Sequence, residues 1–216
     1  LIKIDYEDMP HSVDPEERVR AGQFVGGGWR RTGLGKPAVY ERGNVRKASA
    51  SAARVFERTY RTSPTVHCSI EPHAAVASYE NGEWTVWEST QGVFAVRDEL
   101  AEMLRVPIRT VRVVGKYIGG GFGGKVAAGK YTFVAAYLSK KLGRPIRCVQ
   151  DRSEEFVSPY GRPASIQHLK IGVSAAGKLV FIEQKGIHAV SAYEFGAEWG
   201  HAEDMVTEMY ACDHVR

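Results

Sequence analysis

The segment Thr110–Lys125, TVRVVGKYIGGGFGGK, organises the chain around it. Its valine-rich first half predicts a short buried strand, because β-branched residues favour strands. Five glycines then occupy six positions, Gly119–Gly124, and Phe122 is the only side chain among them. Glycine permits positive φ and lets a backbone approach another molecule closely. We therefore predict a tight loop wrapped around a ligand, with Phe122 as a wedge, lid or wall, followed by a helix over 127–142.

The same loop matches two nucleotide-binding patterns. Gly119–Gly124 fits G-x-G-x-x-G, and Asp151 follows a predicted strand, where a ribose-binding acid stands in a dinucleotide fold. This alternative, a Rossmann-like dehydrogenase domain, requires parallel strands around the loop, and an antiparallel neighbour of the strand at 110–114 would exclude it. The P-loop pattern G-x-x-x-x-G-K also fits, but Val126 replaces its magnesium-binding Ser or Thr. A glycine-rich connection packed for steric reasons and a non-catalytic binding module stay open as well.

Hydrophobic periods elsewhere predict an α+β chain. Asn81-Gly82 joins two alternating runs and is a strong hairpin signal, so the strands before the glycine loop are expected to be antiparallel. A second hairpin is predicted around Ala176-Gly177. The predicted elements are strand 1–6, helix 45–53, strands 54–62, 74–80 and 84–88, helix 93–104, strand 110–114, helix 127–142, and strands 146–150, 165–173 and 179–186.

Composition places the chain among ordinary globular proteins. Its 216 residues are 44% apolar and 25% charged, and the net charge of +4 is spread along the chain. We therefore expect no nucleic-acid or membrane partner. The cysteines Cys68, Cys148 and Cys212 lie far apart, so no iron–sulfur cluster or structural zinc is expected within this chain. An odd cysteine count without close pairs fits a reducing, cytoplasmic compartment.

Four stretches of the chain form an ordered set. They are Ile70–Ala77 (IEPHAAVA), Glu88–Gly92 (ESTQG), Gly119–Lys125 (GGGFGGK) and Pro145–Glu154 (PIRCVQDRSE). In order and spacing they resemble the large molybdenum-binding subunit of the xanthine dehydrogenase, aldehyde oxidase and carbon monoxide dehydrogenase family of molybdenum hydroxylases. The resemblance extends over nearly the whole chain. It implies the tail of an α/β hammerhead domain at 1–20, a linker at 21–44, and the first part of a molybdopterin-binding domain at 45–216, a mostly antiparallel sheet with packed helices.

Gln91 lies in a polar turn between a predicted strand and a predicted helix. Ser89 and Thr90 are good helix caps, but glutamine is a poor one, and its amide both donates and accepts hydrogen bonds. The resemblance implies that Gln91 lies against the oxygen ligands of molybdenum, and that the pterin dithiolene holds the metal without a direct protein ligand. It also implies further cofactor contacts from Gly120, Gly121, Phe122 and Gly123.

Two side chains are implied for the substrate pocket. Phe122 would help to wall the substrate. Val126 stands where purine-oxidising members of the family have a glutamate directly after the lysine that matches Lys125. This departure puts xanthine or hypoxanthine as substrate in doubt. An apolar residue there favours an aldehyde, an aromatic compound or an N-heterocycle that needs no carboxylate partner.

Several charged residues near these motifs have competing interpretations. Lys125 either meets a phosphate or is a solvated helix start. Glu71 and His73 lie two residues apart like metal ligands, but we interpret them as a buried, hydrogen-bonded turn before a strand. The charged stretch 151–155 is interpreted as a structural network rather than an acid–base pair.

The resemblance implies an oxidoreductase that hydroxylates a small-molecule substrate at a molybdenum–molybdopterin centre, in the cytosine dinucleotide form. Electrons would pass to 2Fe-2S and FAD groups in partner subunits or domains, within an oligomer. The chain begins without Met at a strand-like segment and stops at Tyr210–Arg216 without an obvious domain ending, so we expect a piece of a longer protein. The family's general-base glutamate would lie beyond residue 216. We therefore expect no catalytic residue here and no activity from these residues alone.

Overall fold

A computed structural model describes residues 3, 5–9, 11–24, 36–157, 161–189, 206 and 208–216. The predicted strand 1–6 and linker 21–44, with its Gly26–Gly28 run, fall partly outside the described residues. The helices and strands are α1 (Pro15–Arg20), α2 (Val45–Ser49), β1 (Arg54–Thr62), β2 (Ala74–Glu80), β3 (Glu83–Glu88), α3 (Val93–Leu104), β4 (Val111–Val114), α4 (Lys130–Leu142), β5 (Ile146–Val149), α5 (Arg152–Val157), β6 (Ser165–Val173) and β7 (Leu179–His188). None of these described helices has the length and apolarity that crossing a membrane requires.

The described chain forms two compact units. One comprises the residues up to Pro64 with Pro163–Arg216, and the other comprises Thr65–Arg162. In the first unit, β1, β6 and β7 form a three-stranded antiparallel sheet in that order. Asn44 caps α2 by accepting the Lys47 N–H through its side chain. The helix ends four residues earlier than predicted, because the chain must already be extended where the residue before β1 donates to β6.

The second unit contains a four-stranded sheet in the order β4-β3-β2-β5. The predicted hairpin is confirmed, since β2 and β3 pair antiparallel around Asn81 and Gly82, whose φ angles are 52° and 88°. Two positive φ angles match the tight turn that an Asn-Gly pair favours.

The pairing of β4 differs from the sequence expectation. β4 pairs with β3 in parallel, with Trp84 opposite Val111 and Trp87 opposite Val114. The twelve residues of α3 provide the crossover that a parallel pair requires. The expectation of antiparallel strands before the loop is therefore correct for β2 and β3 and wrong for β3 and β4. The sheet still does not continue in parallel beyond β4, because β4 is an edge strand and β5 pairs antiparallel with β2 at the opposite edge.

The helices α3 and α4 contribute to the core of this unit together with the strands. Val96 and Leu100 of α3 are fully buried, whereas Met103 is exposed. The described core cluster consists of Ala75, Ala77, Trp84, Val86, Leu100, Ala101, Val111, Tyr131, Ala135 and Ala136. The helix α4 begins three residues later than predicted, at Lys130. The residues before it are held in the loop instead. The Lys125 carbonyl accepts the Gln91 N–H at 2.8 Å, and the Ala128 N–H donates to the Glu99 carboxylate at 2.7 Å.

Candidate functional site

The glycine loop that follows β4 has an unusual backbone. Gly120 and Gly123 have φ angles of 98° and 94°, and Phe122 between them has a φ of 51°. A phenylalanine in this left-handed region is strained, because its Cβ crowds the backbone. The Phe122 side chain is 63% exposed, and a Cβ on Gly120 would lie 2.9 Å from its ring. Phe122 is therefore an exposed side chain folded against its own loop.

The side chain of Gln91 binds this loop and does not cap a helix. Its Oε1 accepts the N–H of Gly123 at 2.8 Å and lies 3.4 Å from the N of Lys125. The N-cap of α3 is Gly92, which offers no side chain. A Cβ on Gly121 would lie 2.4 Å from Gln91 Oε1, so this contact requires glycine at position 121. Two motifs that the sequence singled out separately thus form one hydrogen-bonded unit.

Several hydrogen-bond donors of the loop have no acceptor among the described residues, although several of its carbonyls do have partners. The carbonyl of Phe122 accepts from Arg162 at 3.0 Å, and that of Gly124 lies 2.9 Å from His73 Nε2. The N–H groups of residues 120–122 and the Nε2 of Gln91, by contrast, donate to no acceptor among the described residues. Consecutive backbone N–H groups of this kind in a turn suit anionic or oxo acceptors.

Neither interpretation of Lys125 describes its observed position. The side chain is fully buried, and Nζ donates to the Glu71 carbonyl and to Ser89 Oγ, each at 2.7 Å. It also lies 3.6 Å from the Glu71 carboxylate. Burial lowers the pKa of Lys125, although the charge of Glu71 opposes this shift. An ammonium enclosed in this way is neither solvated nor directed toward a phosphate.

Glu71 connects both ends of the loop. Its Oε2 accepts the Ser89 hydroxyl at 2.6 Å and the Gly119 N–H at 2.5 Å. Burial opposes ionisation of Glu71, but the hydrogen bonds from Ser89 and Gly119 and the charge of Lys125 outweigh it. The pKa of Glu71 is therefore lowered.

The interpretation of His73 as part of a buried hydrogen-bonded turn is confirmed. Its Nδ1 lies 2.8 Å from Glu155 Oε1, and its Nε2 lies 2.9 Å from the carbonyl of Gly124. Because a carbonyl only accepts hydrogen bonds, Nε2 must carry a proton. Both ring nitrogens are thus engaged, which removes His73 from the candidate metal ligands.

The charged stretch after β5 is structural, as interpreted. The carboxylates of Asp151 and Glu154 each accept the backbone N–H of the other residue at 2.8 Å, which caps α5. Arg152 donates to the carbonyls of Ser69 and Ile70, each at 2.9 Å. Asp151 is therefore committed to a helix start and not to the ribose contact of the dinucleotide alternative.

Sequence reasoning missed Glu88, which directly precedes the Ser89–Gln91 turn. It is only 5% exposed, and its Oε1 accepts hydrogen bonds from Tyr131 at 3.1 Å and Thr132 at 2.9 Å. Burial, with a smaller contribution from the charge of Glu99, raises the pKa of Glu88 to about 7. The alternation of buried and exposed positions along β3 could have indicated that Glu88 is buried, since positions 84, 86 and 88 point to the buried side.

Val126 lies beside the start of α3. A Cβ on Gly92 would be 2.7 Å from the Val126 carbonyl, and the Val126 side chain is 39% exposed. Of the predicted site residues, the structure thus joins Gln91 directly to the loop, and it brings the backbone of Val126 against the residue that follows Gln91.

Residues 33–216 match the family model of the molybdopterin cofactor-binding domain. The chain therefore belongs to this family, and the resemblance to xanthine dehydrogenases and aldehyde oxidoreductases is confirmed. Within it, the chain is a member of the molybdenum hydroxylases.

Two relatives illustrate this membership, and one solved structure shares the fold. The chain is 36% identical to the aldehyde oxidoreductase molybdenum-binding subunit PaoC of Escherichia coli K12 over 143 residues, which are 66% of this chain and 20% of that protein. It is 31% identical to the xanthine dehydrogenase/oxidase of Mus musculus over 186 residues, 84% of this chain and 13% of that protein. Its fold matches the aldehyde oxidoreductase of Desulfovibrio desulfuricans with a TM-score of 0.77 at 19% identity, over 99% of this chain and 24% of that one. The chain thus spans one fifth or less of the length of the two curated relatives.

Proposed function

We propose that the whole protein oxidises an aldehyde, an aromatic compound or an N-heterocycle at a molybdopterin centre, and that Gln91 with the loop Gly119–Lys125 forms one wall of the cofactor pocket. The observation that carries this proposal is the 2.8 Å hydrogen bond from Gly123 N–H to Gln91 Oε1. Because the carbonyl end of the amide is held by the loop, its NH₂ end is oriented as a donor. A fixed donor beside a row of backbone N–H groups suits a group rich in oxygen acceptors.

The residues present fit a molybdopterin group. The N–H groups of residues 120–122 and Gln91 Nε2 have no acceptor among the described residues. Phosphate and oxo oxygens readily accept hydrogen bonds from donors of this kind. Gly121 lets the Gln91 side chain lie directly against the loop, because a Cβ at position 121 would be 2.4 Å from Gln91 Oε1. The family resemblance implies that the pterin sulfurs hold the metal, so the engagement of His73 elsewhere is compatible with this assignment.

We assign the following roles within the pocket. Gln91 and the backbone of Gly120, Gly121, Phe122 and Gly123 would hold the cofactor. When bound, the molybdenum cofactor supplies the two-electron oxidation that the side chains of this loop do not provide. The exposed ring of Phe122 would border the substrate and limit the access of water.

Val126 sets the proposed substrate class. Its apolar side chain is partly exposed and offers neither charge nor hydrogen bond to a purine ring. A site built to hydrogen-bond its substrate discriminates strongly, whereas an apolar wall does so weakly. We therefore propose aldehydes, aromatics and N-heterocycles, and not xanthine or hypoxanthine.

The remaining features of the whole protein are proposals that rest on family membership. They are a cytosine dinucleotide form of the pterin, 2Fe-2S and FAD groups in partner subunits or domains, an oligomeric assembly, and a cytoplasmic location. The domain boundaries 1–20 (a hammerhead tail), 21–44 (a linker) and 45–216 also stay predictions, as does the inactivity of these 216 residues alone.

Dye-linked oxidation by the whole protein, purified with its natural partners, tests the proposal. We expect turnover of benzaldehyde or quinoline by protein from molybdate-supplied cultures and no turnover by protein from tungstate-supplied cultures. Turnover that is independent of molybdate would overturn the proposed function.

The role of Val126 is tested by Val126→Glu, with Val134→Glu as the control. Val134 lies on α4 and is 43% exposed, so the same change is made at a similar exposure outside the loop. A carboxylate that accepts a hydrogen bond from substrate contributes about 2 kcal/mol, and we expect kcat/KM for hypoxanthine to rise roughly thirtyfold in Val126→Glu alone. Equal responses of the two variants would contradict the assignment of Val126 to the substrate pocket.

A further inference from the structure

A polar cluster, in which Lys125 and Ser89 are buried and the Glu71 side chain is 40% exposed, lies at the two ends of the glycine loop. We call Lys125, Glu71 and Ser89 the loop clamp. At the first end, Glu71 accepts the Gly119 N–H through Oε2, and its own N–H donates to the Gly119 carbonyl at 3.2 Å. At the second end, Lys125 Nζ donates to the Glu71 carbonyl and to Ser89 Oγ, both at 2.7 Å. Glu71 thus holds the first and the last residue of the loop at once.

The clamp also sets the position of Gln91. Ser89 donates its hydroxyl proton to Glu71 Oε2 at 2.6 Å and accepts from Lys125, so its orientation is fully determined. Two residues further on, the N–H of Gln91 donates to the Lys125 carbonyl at 2.8 Å, and the Thr90 hydroxyl donates to the same oxygen at 2.8 Å. Lys125 therefore anchors the Ser89–Gln91 turn with its side chain and with its carbonyl.

An ammonium in this place is not explained by stability alone. Enclosing a charge removes its hydration, and an apolar side chain of the same volume is often equally stable in such a position. A polar network with every member satisfied, however, specifies one arrangement of the groups around it. The Lys125 side chain has no exposed surface, so it acts only on its protein neighbours.

We propose that Lys125 is a positioning residue, whose buried ammonium acts through Glu71 and Ser89 to fix the loop amides relative to Gln91. In this role it prepares the donors of the proposed cofactor pocket before the cofactor binds. The inference rests on the proposed function for its purpose, but the positioning itself is measurable in the protein without cofactor.

The test uses the whole protein with Lys125→Met, Glu71→Gln, their combination, and Ser89→Ala. Leu100→Ala is the control, because Leu100 is fully buried in the core of the same unit and does not belong to the clamp. Hydrogen–deuterium exchange of the peptide covering 116–125 reports on the loop in both cofactor-free and cofactor-loaded protein. Molybdenum content, the line shape of the Mo(V) paramagnetic resonance signal and the thermal midpoint complete the set.

We expect Lys125→Met and Ser89→Ala to accelerate exchange of the hydrogen-bonded loop amides, those of Gly119, Gly123 and Gly124, by about tenfold or more. The thermal midpoint should fall less than in Leu100→Ala. Molybdenum affinity is expected to fall about tenfold, with an altered Mo(V) signal. Because Lys125 and Glu71 act in one network, the double variant should change exchange by less than the product of the single effects. Leu100→Ala should lower the midpoint and leave the signal unchanged.

Unchanged exchange at 116–125 in Lys125→Met and Ser89→Ala would overturn the inference, as would changes that merely follow the thermal midpoint of Leu100→Ala. Absence of molybdenum from the wild-type protein would overturn the proposed function instead. The hydrogen–deuterium exchange data test the role of the loop clamp even in protein without molybdenum. A failure of this inference is therefore distinguishable from a failure of the proposed function.

Discussion

The buried carboxyl of Glu88 makes the stability of the unit Thr65–Arg162 depend on pH, and Glu88→Gln removes the part of this dependence that Glu88 causes. In the fold, burial raises its pKa from 4.5 to about 7. A rise of this size corresponds to roughly 3 kcal/mol between the two protonation states. The folded chain therefore binds the Glu88 proton more tightly than the unfolded chain does, and ionisation of Glu88 destabilises the fold. The contribution of Glu88 to stability is therefore largest below about pH 4.5, is lost as pH rises from there to about 7, and stays absent above that.

Glutamine has the shape of a protonated glutamic acid and no charge. Its amide oxygen can still accept the hydroxyls of Tyr131 and Thr132. The pKa of about 7 already includes the effect of these two hydrogen bonds on the charged carboxylate. We therefore expect Glu88→Gln to be nearly equal to the wild type below about pH 5 and more stable than it by roughly 3 kcal/mol above about pH 8. The matched control is Glu83→Gln, since Glu83 is exposed at the other end of β3.

The assay is urea denaturation at several pH values between about 4.5 and 8.5, with the midpoint and slope of each transition compared among the three proteins. The wild type and Glu83→Gln should lose stability together as pH rises, and Glu88→Gln should lose less. A wild-type curve that does not change across this window, or a Glu88→Gln protein that is less stable above about pH 8, would refute the reasoning from burial.

Three further substitutions have defined outcomes. Gly121→Ala places a Cβ 2.4 Å from Gln91 Oε1, so molybdenum content should fall about tenfold or more with unchanged circular dichroism, and normal metal content would contradict the close approach. Phe122→Gly relieves a strained φ of 51° but adds chain entropy, so the unfolding free energy should change by less than about 1 kcal/mol while KM for an aromatic substrate rises. Gly172→Ala, in the other unit, directs a Cβ to 2.2 Å from the fully buried ring of Phe181 and should destabilise by about 1–3 kcal/mol in urea denaturation; a neutral effect would show that the ring moves freely.

Local patterns predicted much of the secondary structure. The bounds of β1 and of the Asn81-Gly82 hairpin follow from alternation and turn chemistry within a few residues of chain. The parallel pairing of β4 was not accessible in this way, because a crossover connects segments far apart and no local pattern specifies which strand it meets. The start of α4 was misplaced for the same reason, since distant partners such as Thr90 and Glu99 hold the residues before it.

The candidate site shows the same division. Gln91 and the glycine loop were recognisable as motifs, but only the fold joins them through Gly123. Lys125 was misinterpreted, because a lysine next to a glycine loop is ordinarily solvated or bound to phosphate, and its burial depends on Glu71, 54 residues away in sequence. Glu88 was overlooked although the alternation of β3 directs it inward, because a carboxylate at a buried strand position is rare.

The most direct test of the account is the metal and nucleotide content of the whole protein, purified with its natural partners from a molybdate-supplied culture. Elemental analysis counts molybdenum, and acid release followed by chromatography identifies the nucleotide. The account predicts near-stoichiometric molybdenum with release of CMP. Bound NAD, or protein without molybdenum despite the molybdate supply, would contradict it and return Gly119–Gly124 to a dinucleotide-binding or purely structural role.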